Sequence, residues 1–127
     1  MKDISIIIVS WNTKDYLLKC LDAVDKHSGN LDLEIIVVDN GSTDQSSQAV
    51  KELYPDVKII QNDVNTGFVK ANNQGYALST GKYILLLNTD AFINASTLPN
   101  LYEHMENYPD TGAAGCKLLY EDQTLQR

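Results

Sequence analysis

The chain has 127 residues, 43% of them hydrophobic and 21% charged, and its 10 Lys+Arg against 17 Asp+Glu give a net charge of −7. That length suits one domain with a core of its own. The acidity argues against a general nucleic-acid binder or a polybasic membrane-surface protein, since both need a basic footprint.

Met1-Lys2-Asp3 leads straight into the first predicted strand, Ile4–Val9, without a signal-peptide pattern. From Thr13 to His27, Leu17, Leu21 and Val24 recur at helical spacing with Cys20 beside them. Leu33–Val38 is the second strand. Ser42-Thr43-Asp44-Gln45 reads as a capping box opening a helix to about Leu53. Val57–Ile60 is the third strand, and Phe68–Leu78 a helix with Phe68, Ala71, Gly75 and Leu78 along one side. Tyr83–Leu87 is the fourth strand. Ser96 or Thr97 caps a last helix, with Pro99 in its first turn and Leu98, Leu101, Tyr102 and Met105 inward. Gly112–Tyr120 is a weaker fifth strand candidate, and the sequence stops soon after it at Arg127, as part of a longer chain would.

The strands are short and almost continuously apolar, which marks a parallel sheet covered on both faces. Strand-helix alternation with short connections predicts an α/β fold: an open, mainly parallel twisted sheet with helices on both faces. No apolar run approaches the roughly 18 residues of a membrane span. Cys20 and Cys116 form no CxxC or metal-ligand spacing and read as two reduced, buried thiols of a cytoplasmic protein. His27 and His104 read as surface residues.

Ligands of such sheets bind beyond the carboxyl ends of the strands. Those ends carry Ser10-Trp11-Asn12-Thr13, then Asp39 to Asp44, then Gln61 to Gly67, then Asn88-Thr89-Asp90. Polar groups distant in sequence should therefore gather at one rim. No G-x-G-x-x-G follows the first strand and no G-x-x-x-x-G-K-[ST] occurs, so neither a dinucleotide site nor a P-loop is indicated. Ser10-Trp11-Asn12 also lacks the acidic pair of a phospho-acceptor receiver domain and the glycine-rich basic loop of a nucleotidyltransferase.

Val37-Val38-Asp39-Asn40-Gly41-Ser42-Thr43-Asp44 resembles the signature of family 2 glycosyltransferases of the GT-A fold. Asn65-Thr66-Gly67-Phe68 with Ala71-Asn72-Asn73-Gln74-Gly75, Leu85 to Asp90, and the opening Ser10-Trp11-Asn12 match further blocks in the same order. The detail is most similar to the rhamnosyltransferase-like branch, which builds bacterial cell-wall or surface polysaccharides. The resemblance covers nearly the whole chain, residues 1–127, as the donor-binding half of a longer enzyme.

The resemblance implies a UDP- or dTDP-linked sugar donor, a glycan or lipid-linked acceptor and transfer with inversion. It puts Ser10, Trp11, Asn12, Asp39, Asn65, Gly67, Asn72, Asn88 and Thr89 around the nucleotide. Asp39 would accept a ring N–H of the pyrimidine; the rival role for an Asp beside Asn40-Gly41 is a turn. Asp44 serves either the nucleotide or the helix dipole. Asp90 matches the last acid of the family's D-x-D motif and would hold Mg²⁺ or Mn²⁺ against the diphosphate. Asn88 replaces the first acid, and Asn72 stands where some relatives carry an Arg. Trp11 either packs near the nucleoside or covers the sheet end, and Phe68 reads as core. The general base is expected beyond Arg127, so the chain alone should bind donor weakly and transfer little or nothing. The implied location is cytoplasmic, at the inner face of the membrane for a full-length protein. An exposed sheet edge would favour a homodimer. The rival reading is a non-catalytic nucleotide-binding or scaffold module on the same fold.

Overall fold

The computed structural model describes residues 1–126. Four strands, β1 (Ile4–Ser10), β2 (Leu33–Asp39), β3 (Lys58–Gln61) and β4 (Tyr83–Leu86), alternate with α1 (Lys14–Lys26), α2 (Ser46–Leu53), α3 (Phe68–Leu78) and α4 (Thr97–Asn107). All pairings are parallel, in the order β3-β2-β1-β4. The chain therefore builds outward from β1 to β3 and then returns to β1's other side with β4. The strand order reverses between β1 and β4.

Alternation along β1 assigns its side chains to two cores. Ile4, Ile6 and Ile8 pack with Leu17, Cys20, Leu21 and Val24 of α1, Val50 of α2 and Leu98 of α4. Ile7 packs on the other face with Val38 of β2 and Ala71 of α3. Helices thus cover both faces, as the continuous apolar strands require. On the α3 face the fit is close: a Cβ added to Gly75 would lie 2.5 Å from Ile7 Cγ2. Gly75 lets this helix ride directly on the central strand.

The amino end of the sheet is tied by a buried carboxylate. Glu34 is 6% exposed and accepts Lys58 Nζ at 2.6 Å, the Thr80 N–H at 2.8 Å, the Thr80 hydroxyl at 3.1 Å, and the Ser5 hydroxyl. Burial alone would raise its carboxyl above the ordinary 4.5, but the bonds from Lys58, Ser5 and Thr80 outweigh burial and hold it at about 2.

Four expectations need correction. The predicted strand Gly112–Tyr120 is absent among the described residues; its only ladder contact is an antiparallel bridge from Leu119 to Leu125. Gly112, Ala113, Ala114 and Gly115 offer it little bulk to pack, and the whole stretch is exposed. The capping box does not form. The Ser42 hydroxyl accepts the Asn12 N–H instead, Gln45 sits at φ +63°, and the helix starts at Ser46. Cys116 is exposed while Cys20 is buried. Phe68 and Leu78 are 58% and 47% exposed, so of the four only Ala71 and Gly75 are buried, joined on α3 by Asn72.

Candidate functional site

The carboxyl rim of the sheet is built from loops that hold one another. Asn12, at φ +51°, donates its N–H to Ser42 Oγ at 2.9 Å and accepts the Thr43 N–H on Oδ1 at 2.8 Å. Asp44 accepts the Lys14 N–H at 2.9 Å and the Ser46 N–H at 3.0 Å, which satisfies first-turn donors of α1 and α2 together. Asp44 thus performs the helix-terminus role for two helices. Ser10 is buried, with its hydroxyl 3.2 Å from Thr13 Oγ1. Trp11 is 54% exposed at the tip of this loop.

The second loop cluster centres on Asn40, which is 2% exposed. Its Nδ2 donates to Asn65 Oδ1 at 2.9 Å and to the Gly67 carbonyl at 3.3 Å. Its Oδ1 accepts the Thr66 N–H and hydroxyl, both at 2.9 Å, and Asn62 Nδ2 at 3.2 Å. Asn65 also accepts the Gly67 N–H at 2.9 Å, so its side chain is spent on the turn into α3. Gly41, at φ +85°, lets the two loops touch: a Cβ there would lie 2.8 Å from the Val64 carbonyl carbon. Asn72 is 9% exposed and donates to the Phe68 carbonyl at 3.0 Å, an i to i−4 bond inside its helix. In the sequence Asn40 shows only as part of the Asn40-Gly41 turn signal, and the hub is not visible there. Its partners lie 22 to 27 positions away and leave no local pattern.

Asp39 and Asp90 stand at the carboxyl rim, each lining a different depression. Asp39 ends β2 and is 2% exposed. One of its oxygens accepts the Ser42 N–H at 2.9 Å, and the other accepts the Ser47 hydroxyl. It lies at the base of a polar depression of about 260 Å³ with Ser42, Thr43, Gln45, Lys51 and Gln61. Asp90 lines a separate cavity of about 340 Å³ at the β1–β4 reversal, with Val9, Thr13, Tyr16, Phe68, Asn88 and Thr89. Ser10, Trp11, Asn12, Asn65, Gly67 and Asn72 line neither.

The Asp90 cavity carries the chemical potential. Its wall includes one carboxylate, an amide, the three hydroxyls of Thr13, Tyr16 and Thr89, and no basic side chain. Thr13 Oγ1 donates to Thr89 Oγ1 at 3.3 Å, which fixes part of the floor. Beneath it Cys20 points its thiol at the Asn88 carbonyl, 3.7 Å away. Burial, and then the negative charge of Asp90, push that thiol up to about 12, so Cys20 stays protonated packing. Asp90 forms no ion pair among the described residues, whose four salt bridges lie elsewhere. No cluster of three His, Cys, Asp or Glu exists among the described residues. A divalent ion would therefore meet one carboxylate plus amide and hydroxyl oxygens. That set fits a hard cation whose shell is completed by water and phosphate, and it does not fit a closed protein cage.

The glycosyl transferase family 2 model matches residues 5–127. A poly(ribitol-phosphate) beta-glucosyltransferase of Bacillus spizizenii is 35% identical over 113 residues, covering 84% of this chain and 18% of that protein. TarS 1–349 of S. aureus, solved with UDP-GlcNAc, superposes with a TM-score of 0.76 at 22% identity, covering 94% of this chain and 38% of that one. The mannosyltransferase PcManGT of Pyrobaculum calidifontis, solved with GDP-Man and Mn²⁺, gives 0.72 at 23% identity, covering 83% and 34%. This chain thus spans between 18% and 38% of the length of these proteins. The four-stranded parallel sheet is the sheet of the GT-A glycosyltransferase fold.

Proposed function

The chain belongs to glycosyl transferase family 2, and from that membership we propose that it supplies the donor site for sugar transfer from a nucleotide diphosphate to a glycan or lipid-linked acceptor. The observation that carries this reading is the carboxylate of Asp90, without an ion-pair partner among the described residues, in a cavity at the strand-order reversal. A pyrophosphate arriving there meets a wall with a carboxylate and no basic side chain. Charge balance then calls for a cation. Asp90, with the Asn88 amide and Thr89 hydroxyl beside it, would hold Mg²⁺ or Mn²⁺. When bound, that ion acts as a Lewis acid toward the departing nucleoside diphosphate.

The chain's own residues shape the rest. The Asn12–Thr43 and Asn40–Thr66 bonds preorganise the rim, so little loop ordering is left for the ligand to cost. Asp39 has one oxygen bonded to the Ser42 N–H of the loop and the other to the Ser47 hydroxyl of α2, but retains lone pairs for a pyrimidine N–H, because each carboxylate oxygen accepts more than one bond. Displacement with inversion needs a base for the acceptor hydroxyl. We assign that base to residues outside this chain, in keeping with the fraction of its relatives that the chain spans. The name of the Bacillus relative supports a poly(ribitol-phosphate)-type polymer as acceptor. A cytoplasmic location belongs to the same proposal.

Calorimetric titration of UDP and dTDP, with and without Mn²⁺, tests the reading. Binding strengthened by Mn²⁺ is expected, and Asp90→Ala should remove the metal-dependent part, a loss of about tenfold or more. Absence of binding to either nucleotide under both conditions would favour the non-catalytic scaffold.

A further inference from the structure

We propose that Ser47, in the first turn of α2, is a positioning residue for base recognition: its hydroxyl sets the plane of the Asp39 carboxylate. The proposal rests on the donor-site reading above, which gives Asp39 the pyrimidine N–H, and adds the group that aims it.

The backbone around Asp39 is fixed by the sheet. The Asp39 carbonyl accepts the Asn62 N–H at 2.9 Å, and the next residue, Asn40, donates its N–H to the Ser10 carbonyl at 2.8 Å. The side chain keeps more freedom, because the terminal torsion of an aspartate is broad. The Ser42 N–H holds one oxygen at 2.9 Å. A carboxylate held at one oxygen can still swivel about that contact, and a second donor on the other oxygen fixes its plane. Ser47 is that second donor, and both residues are buried. The plane matters to a ligand, since a hydrogen bond weakens steeply as its angle falls toward about 120°.

Stapling α2 to the rest of the molecule does not account for the bond. Val50 of α2 already packs in the core, and Asp44 already joins the start of α2 to α1. Local backbone geometry points the same way. Gln45, immediately before α2, takes φ +63°, a region that side-chain-bearing residues disfavour. The helix that follows this turn opens with Ser46 and Ser47 both buried, and Ser47 lines the same depression as Asp39.

Calorimetric titration of the 127-residue chain, with Mg²⁺ present, tests the proposal with UDP and with N3-methyl-UDP, in which a methyl group replaces the ring proton. Wild type should prefer UDP by about tenfold or more. Asp39→Ala should abolish that preference. Ser47→Ala should reduce it to about threefold or less by weakening UDP, with the affinity for N3-methyl-UDP unchanged. A merely structural role would weaken both ligands alike. That result, or an undiminished preference in Ser47→Ala, would overturn the proposal and leave the Asp39 reading standing. Should Ser47→Ala not fold, Ser47→Cys keeps nearly the same volume with a weaker donor, and an undiminished preference in it overturns the proposal equally. A preference that survives Asp39→Ala would remove the Asp39 reading and the proposal with it. Binding of neither ligand to folded wild type would remove the donor reading as well.

Discussion

The carboxylate of Asp44 accepts the backbone N–H of Lys14 at 2.9 Å, across 30 positions of sequence, and so joins the start of α1 to the loop that starts α2. Its second oxygen takes the Ser46 N–H. Asp44→Ala should cost about 1–2 kcal/mol, the scale of a lost helix cap taken at two helix starts. Asp44→Asn keeps one acceptor oxygen and should recover roughly half. Urea unfolding followed by far-UV circular dichroism measures both.

Asn40 makes a different kind of link, because both ends of its amide are in use. Asn40→Ala leaves Asn65, Thr66 and Asn62 without their shared partner and should cost about 2–4 kcal/mol. The damage should be local: faster hydrogen exchange at the Thr66 amide, with the β1 amides near their wild-type rates. Uniform acceleration across the sheet would contradict the hub role.

Glu34 predicts an acid-sensitive clasp. Its folded carboxyl lies near 2 against an ordinary 4.5. A folded value below the unfolded one contributes stability that is complete above about 4.5 and is lost as pH falls from there toward 2. Glu34→Gln should therefore lower stability at pH 7 by about 2 kcal/mol, less than the full shift implies because Lys58 is half exposed. The same substitution should flatten the stability profile between pH 5 and pH 2. Denaturant midpoints across that window provide the check.

The two thiols should separate cleanly. Native protein should react with a thiol reagent once, at exposed Cys116, and a second time only after unfolding releases Cys20. Reaction of both in the folded state would mean that the packing under Asn88 opens readily.

Much of this arrangement was readable from residues in order. The apolar runs beginning at Ile4 and Leu33 mark strands because both faces of a central strand are covered, while the run at Tyr83 is legible by its apolar side chains although Ile84 and Leu86 stay exposed. Asn88-Thr89-Asp90 could be placed at a strand end for the same reason. What stayed hidden depends on partners far away in sequence. Ser42 and Gln45 have capping-box spacing, but Asn12 claims the Ser42 hydroxyl from 30 positions upstream. Phe68 looks like core by periodicity, yet α3 meets the sheet through Ala71 and Gly75, which leaves the aromatic ring outside. The division of Asp39 and Asp90 between two depressions follows from β1 lying between β2 and β4, a neighbour relation that sequence order conceals.

That middle position makes β1 the ruler for the whole rim. Ser10 is opposite Asp39 on one flank, and Ile7 is opposite Leu86 on the other. Inserting a residue into β2 or β4 would displace one acidic group and spare its counterpart. Inserting one into β1 would shift both together and turn its isoleucines onto the wrong faces. Evolutionary freedom to adjust the spacing of the two acids therefore resides in the flanking strands, with the centre held fixed.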